Sequence, residues 1–305
     1  IWVLDDISPL RELATAASAG GPYLFSPSLA TRVRWNMFSD TPLPPEEPTG
    51  ENPPDGAILD YHLPRMAETV ELEILDADAN LIRRYSSADP PEVVDPETLP
   101  HPTYWIRPPQ KLGTTSGHHR FVWDLRYEPP RGARRQFSIA AVLERTPSGP
   151  HGPFVAPGRY TVRLTVDGET AEQPIDVRLD PRVEIDDDSL QQQTDLSMRC
   201  YQGYLKSREV REELEGEIET AGEDRRTDLE TLLGGGSPGE PDILYGHIVA
   251  APPDEETIAG LQHKFLWTMY VLQSADARPT TQAKQAVAQL EESLGQLLVR
   301  WAVLK

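Results

Sequence analysis

Cysteine is almost absent: Cys200 stands alone among 305 residues. One thiol excludes an internal disulfide and any metal site built from several thiolates. Basic residues are scarce too. Lys plus Arg is 29 against 49 Asp plus Glu, a net charge of −20, which removes the basic footprint that nucleic acid or an anionic membrane surface requires. No apolar run reaches the roughly 18 residues of a membrane span. There is no Gly-x-Ser-x-Gly elbow and no histidine–glutamate zinc helix. The run Gly234-Gly235-Gly236-Ser237-Pro238-Gly239 lacks the Gly-Lys-Ser/Thr ending of a phosphate loop and reads as a flexible connection. No catalytic, cofactor-binding or metal-ligating residue is nominated, and no cofactor is implied. An initiator methionine and a signal peptide are also missing, since the chain opens on Ile1-Trp2-Val3-Leu4; a processed or partial N-terminus is the expectation.

What is present is alternation. In Pro157-Gly158-Arg159-Tyr160-Thr161-Val162-Arg163-Leu164-Thr165-Val166-Asp167-Gly168, the residues Tyr160, Val162, Leu164 and Val166 fall on one face of a strand. Asp167-Gly168 is a hairpin turn, and Ile175, Val177 and Leu179 line the returning strand. The same period of two runs through Leu59, Tyr61 and Leu63, set against Ile58, Asp60 and His62. It recurs in Val70, Leu72 and Ile74, set against Glu71 and Glu73, and in Phe121, Trp123 and Leu125. A further short strand is expected over residues 139–143. These strands and their turns predict an antiparallel β-sandwich over residues 57–182, with Trp123 as its core anchor.

The period changes after Asp186-Asp187-Asp188-Ser189, a helix cap with acids suited to the dipole. Leu196, Cys200, Gly203, Ser207, Val210, Leu214 and Ala221 form one seam, and Ile258, Leu261, Phe265, Thr268, Leu272 and Ala275 a second. Ala283, Val287, Leu290, Leu294, Leu297, Trp301 and Leu304 form the strictest, after Pro279 marks its start. An antiparallel α-helical bundle over residues 186–305 follows. Cys200 falls on a seam, as a small core residue does.

Two features imitate metal sites. Asp76-Ala77-Asp78-Ala79-Asn80 spaces its acids like a calcium loop, but Leu81 stands where glycine is needed and Ser87 where a bidentate Glu is needed; it reads as a hairpin turn. His118 and His119 are adjacent on a strand, so they point to opposite faces and cannot share one metal there. Carboxylate pairs for glycoside hydrolysis depend on separation in space, and 49 acids supply many pairs by chance.

Residues 1–56 read as an extended arm. Residues 1–4 and 31–35 have strand character, and residues 11–19 are Ala-rich and helical. Prolines 42, 44, 45, 48, 53 and 54 keep the following stretch from forming a helix or central strand. Its apolar residues, Tyr23, Leu24, Phe25, Val33, Trp35 and Phe38 among them, show no common period. The expectation is an arm that is loose by itself and is completed by another domain or a second chain.

Trp2-Val3-Leu4-Asp5-Asp6-Ile7-Ser8-Pro9-Leu10 resembles the closing blade segment of bacterial sortilin-like β-propeller proteins, often labelled BNR-repeat glycosyl hydrolases. Asp55-Gly56-Ala57-Ile58-Leu59-Asp60-Tyr61, His119-Arg120-Phe121-Val122-Trp123-Asp124-Leu125-Arg126, residues 157–168 and Asp180-Pro181-Arg182 resemble the region following that propeller. Residues 72–84, Trp123-Asp124 and residues 157–166 are similar to the Ig-like domain of flagellar hook-capping proteins. The Asp-box repeats that define the propeller are absent from this chain. The resemblance implies an Ig-like sandwich and helical bundle serving as a non-catalytic interaction region of a secreted or periplasmic protein, with an upstream propeller or a partner protein chain as its contact. The alternative it implies is a glycoside hydrolase whose active site lies here or is shared with a propeller.

Overall fold

A strand pair needs a turn that matches its twist, and Asp167 and Gly168 supply one. Both take positive φ, 48° and 89°, the conformation of a type I′ hairpin. The Asp167 carboxylate Oδ1 also accepts the backbone N–H groups of Glu68 at 2.9 Å and Thr69 at 2.8 Å, so this turn fixes the preceding connection as well. The computed structural model describes residues 5–34, 54–90, 103, 108–133, 149–234, 243–244, 247–248 and 256–305. The chain is α+β and divides into a β-rich unit, residues 1–184, and a helical unit, residues 185–305. The expected strands at residues 1–4 and 139–143, Trp35 and the proline run to Pro53 lie outside the described residues.

The β-rich unit contains α1 (Leu13–Ser18), β1 (Tyr23–Leu24), β2 (Ala30–Arg32), β3 (Ala57–Leu63), β4 (Val70–Leu75), β5 (Leu81–Ser86), β6 (Gly117–Trp123), β7 (Gly158–Val166) and β8 (Glu169–Leu179). They make a three-stranded sheet of order β1-β3-β6 and a five-stranded sheet of order β2-β8-β7-β4-β5. Leu59, Tyr61, Phe121 and Trp123 from the first sheet share one core with Leu72, Ile74, Val162, Leu164 and Ile175 from the second. Trp123 is fully buried, stands edge-on to Tyr160 with ring centroids 5.8 Å apart, and satisfies its indole N–H on the Arg126 carbonyl at 3.1 Å. The turn after β4 also forms as expected: Asp76 Oδ1 accepts the N–H groups of Asp78 at 2.9 Å and Asn80 at 2.8 Å, with Ala79 at φ 63°.

Two expectations are corrected. The five-stranded sheet is mixed, because β2 pairs with β8 in parallel, Ala30 opposite Val177 and Arg32 opposite Leu179. And residues 23–32 are no loose arm: β1 pairs with β3, and Leu24, Phe25, Ala30 and Arg32 are buried. The strand expected at residues 31–35 is present in part as β2; β1, of two residues, is too short to show a period.

Sheet edges expose unpaired backbone groups that invite association. On β5, the N–H of Arg84 meets Glu128 Oε1 at 3.3 Å and that of Ser86 meets Asp89 Oδ2 at 2.8 Å. On β6, the Gln110 amide acts as a peptide surrogate, accepting from Val122 N at 2.9 Å and donating to Val122 O at 3.1 Å.

In the helical unit, α2 (Asp187–Thr220), α3 (Glu223–Leu233), α4 (Ile258–Leu272) and α5 (Thr281–Leu304) are the helices. Side chains cap three of them: Asp186 Oδ1 accepts Ser189 N at 2.8 Å, Thr257 Oγ1 accepts Gly260 N at 3.1 Å, and Thr280 Oγ1 accepts Ala283 N at 3.1 Å. Each N-cap offers a side-chain oxygen to an otherwise unpaired N–H of the first turn. The two-residue strands β9 (Ile243–Leu244) and β10 (His247–Ile248) pair antiparallel. No helix among the described residues is long and apolar enough to cross a membrane.

The seams of α2 and α5 are buried at Leu196, Cys200, Gly203, Ser207, Val210 and Leu214, and at Val287, Leu290, Leu294, Leu297 and Trp301. On α4 the seam runs through Met269 rather than the expected Thr268; both spacings are helical, and the thioether is the better core group. Helix α3 went unread because only Leu229 and Leu232 of its eleven residues are buried, too few to set a period. The Phe265 ring of α4 sits over Gly203, where an added Cβ would lie 2.5 Å from the ring. Polar side chains between α2 and α4 are paired: the Gln193 amide donates to the Leu272 and Ala275 carbonyls, and the Gln273 amide to Ser197 Oγ at 2.8 Å. Trp301 donates its indole N–H to Glu213 at 3.1 Å.

Truncation of Trp123 to Ala removes the largest fully buried side chain in the core. The expected cost is roughly 3–5 kcal/mol, read by denaturant unfolding; an unchanged midpoint contradicts the face assignment. Gly203→Ala should destabilise the helical unit although alanine gains up to about 1 kcal/mol in helix propensity over glycine. Phe265→Leu in the same chain should restore much of the loss, and a Gly203→Ala protein that melts higher than the parent rules out the close approach.

Candidate functional site

Alternation along β3 and β6 puts Asp60, His118 and Arg120 on the face of the three-stranded sheet opposite Tyr61, His119 and Phe121, with Asp60 directly across from Arg120. Alternation alone sets Asp60 on the face away from Leu59 and Tyr61. It is 3% exposed, because residues 5–12 are tied to this face. Arg120 binds it through two bonds, Nε to Oδ1 and Nη2 to Oδ2, each 3.0 Å. The same guanidinium donates to the carbonyl oxygens of Asp5 at 2.6 Å and Asp6 at 2.9 Å. Asp6 turns the chain at φ 52°, and its Oδ1 accepts Ser8 N at 2.9 Å. A second tie comes from Glu12, which accepts the Tyr23 hydroxyl at 2.8 Å. His118 Nε2 lies 3.1 Å from Asp60 Oδ1 and its ring 5.5 Å from that of Phe25.

A histidine beside a buried carboxylate is the orienting half of a nucleophile-activating site. Here the carboxylate is already held by a bidentate arginine, and the guanidinium's other bonds go to main-chain carbonyls. The arrangement is a clasp for the chain. His119 is occupied on the other face, stacked on Tyr61 with centroids 5.0 Å apart and with Nε2 2.6 Å from the Thr115 carbonyl. The two histidines do diverge, as strand geometry demands.

The second concentration of chemistry follows β6. Leu125, buried and at φ 58°, is in a conformation that bulky residues seldom adopt and that marks stored strain. It holds a sharp kink, fixed by Val155 N donating to the Leu125 carbonyl at 2.9 Å and by Arg126 N donating to Asp124 Oδ1 at 3.2 Å. Burial pushes the Asp124 carboxyl above its ordinary value, Arg83 and Arg126 pull it back, and the Asp55 charge raises it further. Arg83 lies over the Tyr85 ring at 4.9 Å and pairs with Glu128 at 3.2 Å. Three guanidiniums surround Phe154: Arg126 at 3.5 Å from the ring centroid, Arg34 at 4.7 Å and Arg32 at 5.6 Å. Arg126 also donates to the Gly152 carbonyl at 2.9 Å. Asp124 is the carboxyl here shifted toward its protonated form; sequence spacing gave no sign of it, because Arg83 and Asp55, which act on it, lie far from it along the chain.

Cys200 is fully buried, and burial pushes its thiol up to about 12, so the reactive thiolate is suppressed. Among the described residues no group of three His, Cys, Asp or Glu is placed to hold a metal ion.

No family model matches this sequence, and no curated protein does. Among solved structures, CopC from Methylosinus trichosporium OB3b is 12% identical, with 44% of this chain and 84% of that chain covered and a TM-score of 0.20. At that score the likeness says nothing of fold or function.

Asp60→Asn leaves the half-buried Arg120 without its counter-charge. A loss of up to about 3 kcal/mol is expected, at the lower end of what breaking a buried pair costs. Arg120→Lys should lose part of the same stability, since an ammonium cannot reproduce the fork. Wild-type melting in both variants contradicts the clasp.

Proposed function

We propose that this chain is a non-catalytic interaction region of a secreted or periplasmic sortilin-like β-propeller protein. In this reading its β-rich unit is an Ig-like sandwich, its helical unit is an antiparallel bundle, and its contact is an upstream propeller or a partner protein chain. One observation carries the non-catalytic part. Side chains that could do chemistry are engaged in holding the chain together: among the described residues Asp60 and Arg120 clasp residues 5 and 6, Asp167 fixes a connection, Asp186 caps α2, and Cys200 fills a helix seam, with Asp124 the exception. The two sheets sharing one core and the buried seams of α2, α4 and α5 support the sandwich and bundle readings.

A second reading, glycoside hydrolysis with a site here or shared with a propeller, finds its support in Asp124, a carboxyl shifted toward its neutral form within reach of the Asp55 charge. The two readings separate in an assay of the purified chain against aryl glycosides and peptides. The expected result is no turnover above buffer; turnover that disappears in Asp124→Asn establishes the hydrolase reading instead.

A further inference from the structure

We draw no further inference here: the strongest candidate, the exposed apolar stripe of Ile7, Leu10, Leu13 and Leu29 on the segment tied to the three-stranded sheet, has nothing in the structure to show what covers it.

Discussion

A carboxylate taken out of water must be neutralised, and in the β-rich unit that requirement falls on Asp60. Its partner Arg120 is recruited from the neighbouring strand, and the guanidinium's remaining donors reach the carbonyls of Asp5 and Asp6. One ion pair therefore does two things: it makes a polar strand face compatible with burial, and it determines where the N-terminal segment lies. The residues after that segment then enter both sheets, β1 beside β3 and β2 beside β8. Remove the neutralisation and the segment is held only by the Glu12–Tyr23 bond and the pairings of β1 and β2, against a lone buried charge that costs several kcal/mol.

The opposite face of the same sheet obeys simpler physics. Trp123, Phe121, Leu59 and Tyr61 meet the inward residues of β4, β7 and β8 in a single core. Outward-facing residues of the five-stranded sheet are a charged ladder, Arg84 with Glu71 and Arg163 with Glu172. Such exposed pairs contribute little each, so this face serves solubility and register. In the helical unit the small residues of α2 govern close approach, and the polar residues Gln193, Ser197 and Gln273 are satisfied across the contact with α4. Leaving any one of them unpaired would cost about 1–3 kcal/mol.

The fold was legible in the sequence wherever a period lasted long enough to be counted. Strands β4, β7 and β8, with the Asp-Gly turn between the last two, follow from alternation and turn chemistry, and helix α5 from its heptad. What stayed hidden has specific causes. Strand β1 has two residues, below any window of periodicity, while β2 overlaps the strand expected at residues 31–35. The parallel pairing of β2 with β8 joins residues about 147 positions apart, which local spacing does not encode. The burial of Asp60 was not legible, because alternation reports a face without reporting whether another segment covers it. The candidate site was the least legible part: the charges that act on Asp124 come from Arg83 on β5, Arg126 in the kink after β6 and Asp55 ahead of β3, three stretches with no common motif.

Residues 5–32 belong to the β-rich unit and are clasped there by Arg120. Hydrogen exchange read by mass spectrometry on the 305-residue chain tests this most directly. The amide of Phe25, which donates to the Asp60 carbonyl at 3.0 Å, and the amides of β2 should be protected alongside those of β3, and Arg120→Gln should speed exchange across residues 5–32 while β4 and β7 stay protected. Exchange of residues 5–32 as fast as an unfolded peptide in the parent chain, with β3 and β6 protected, contradicts it.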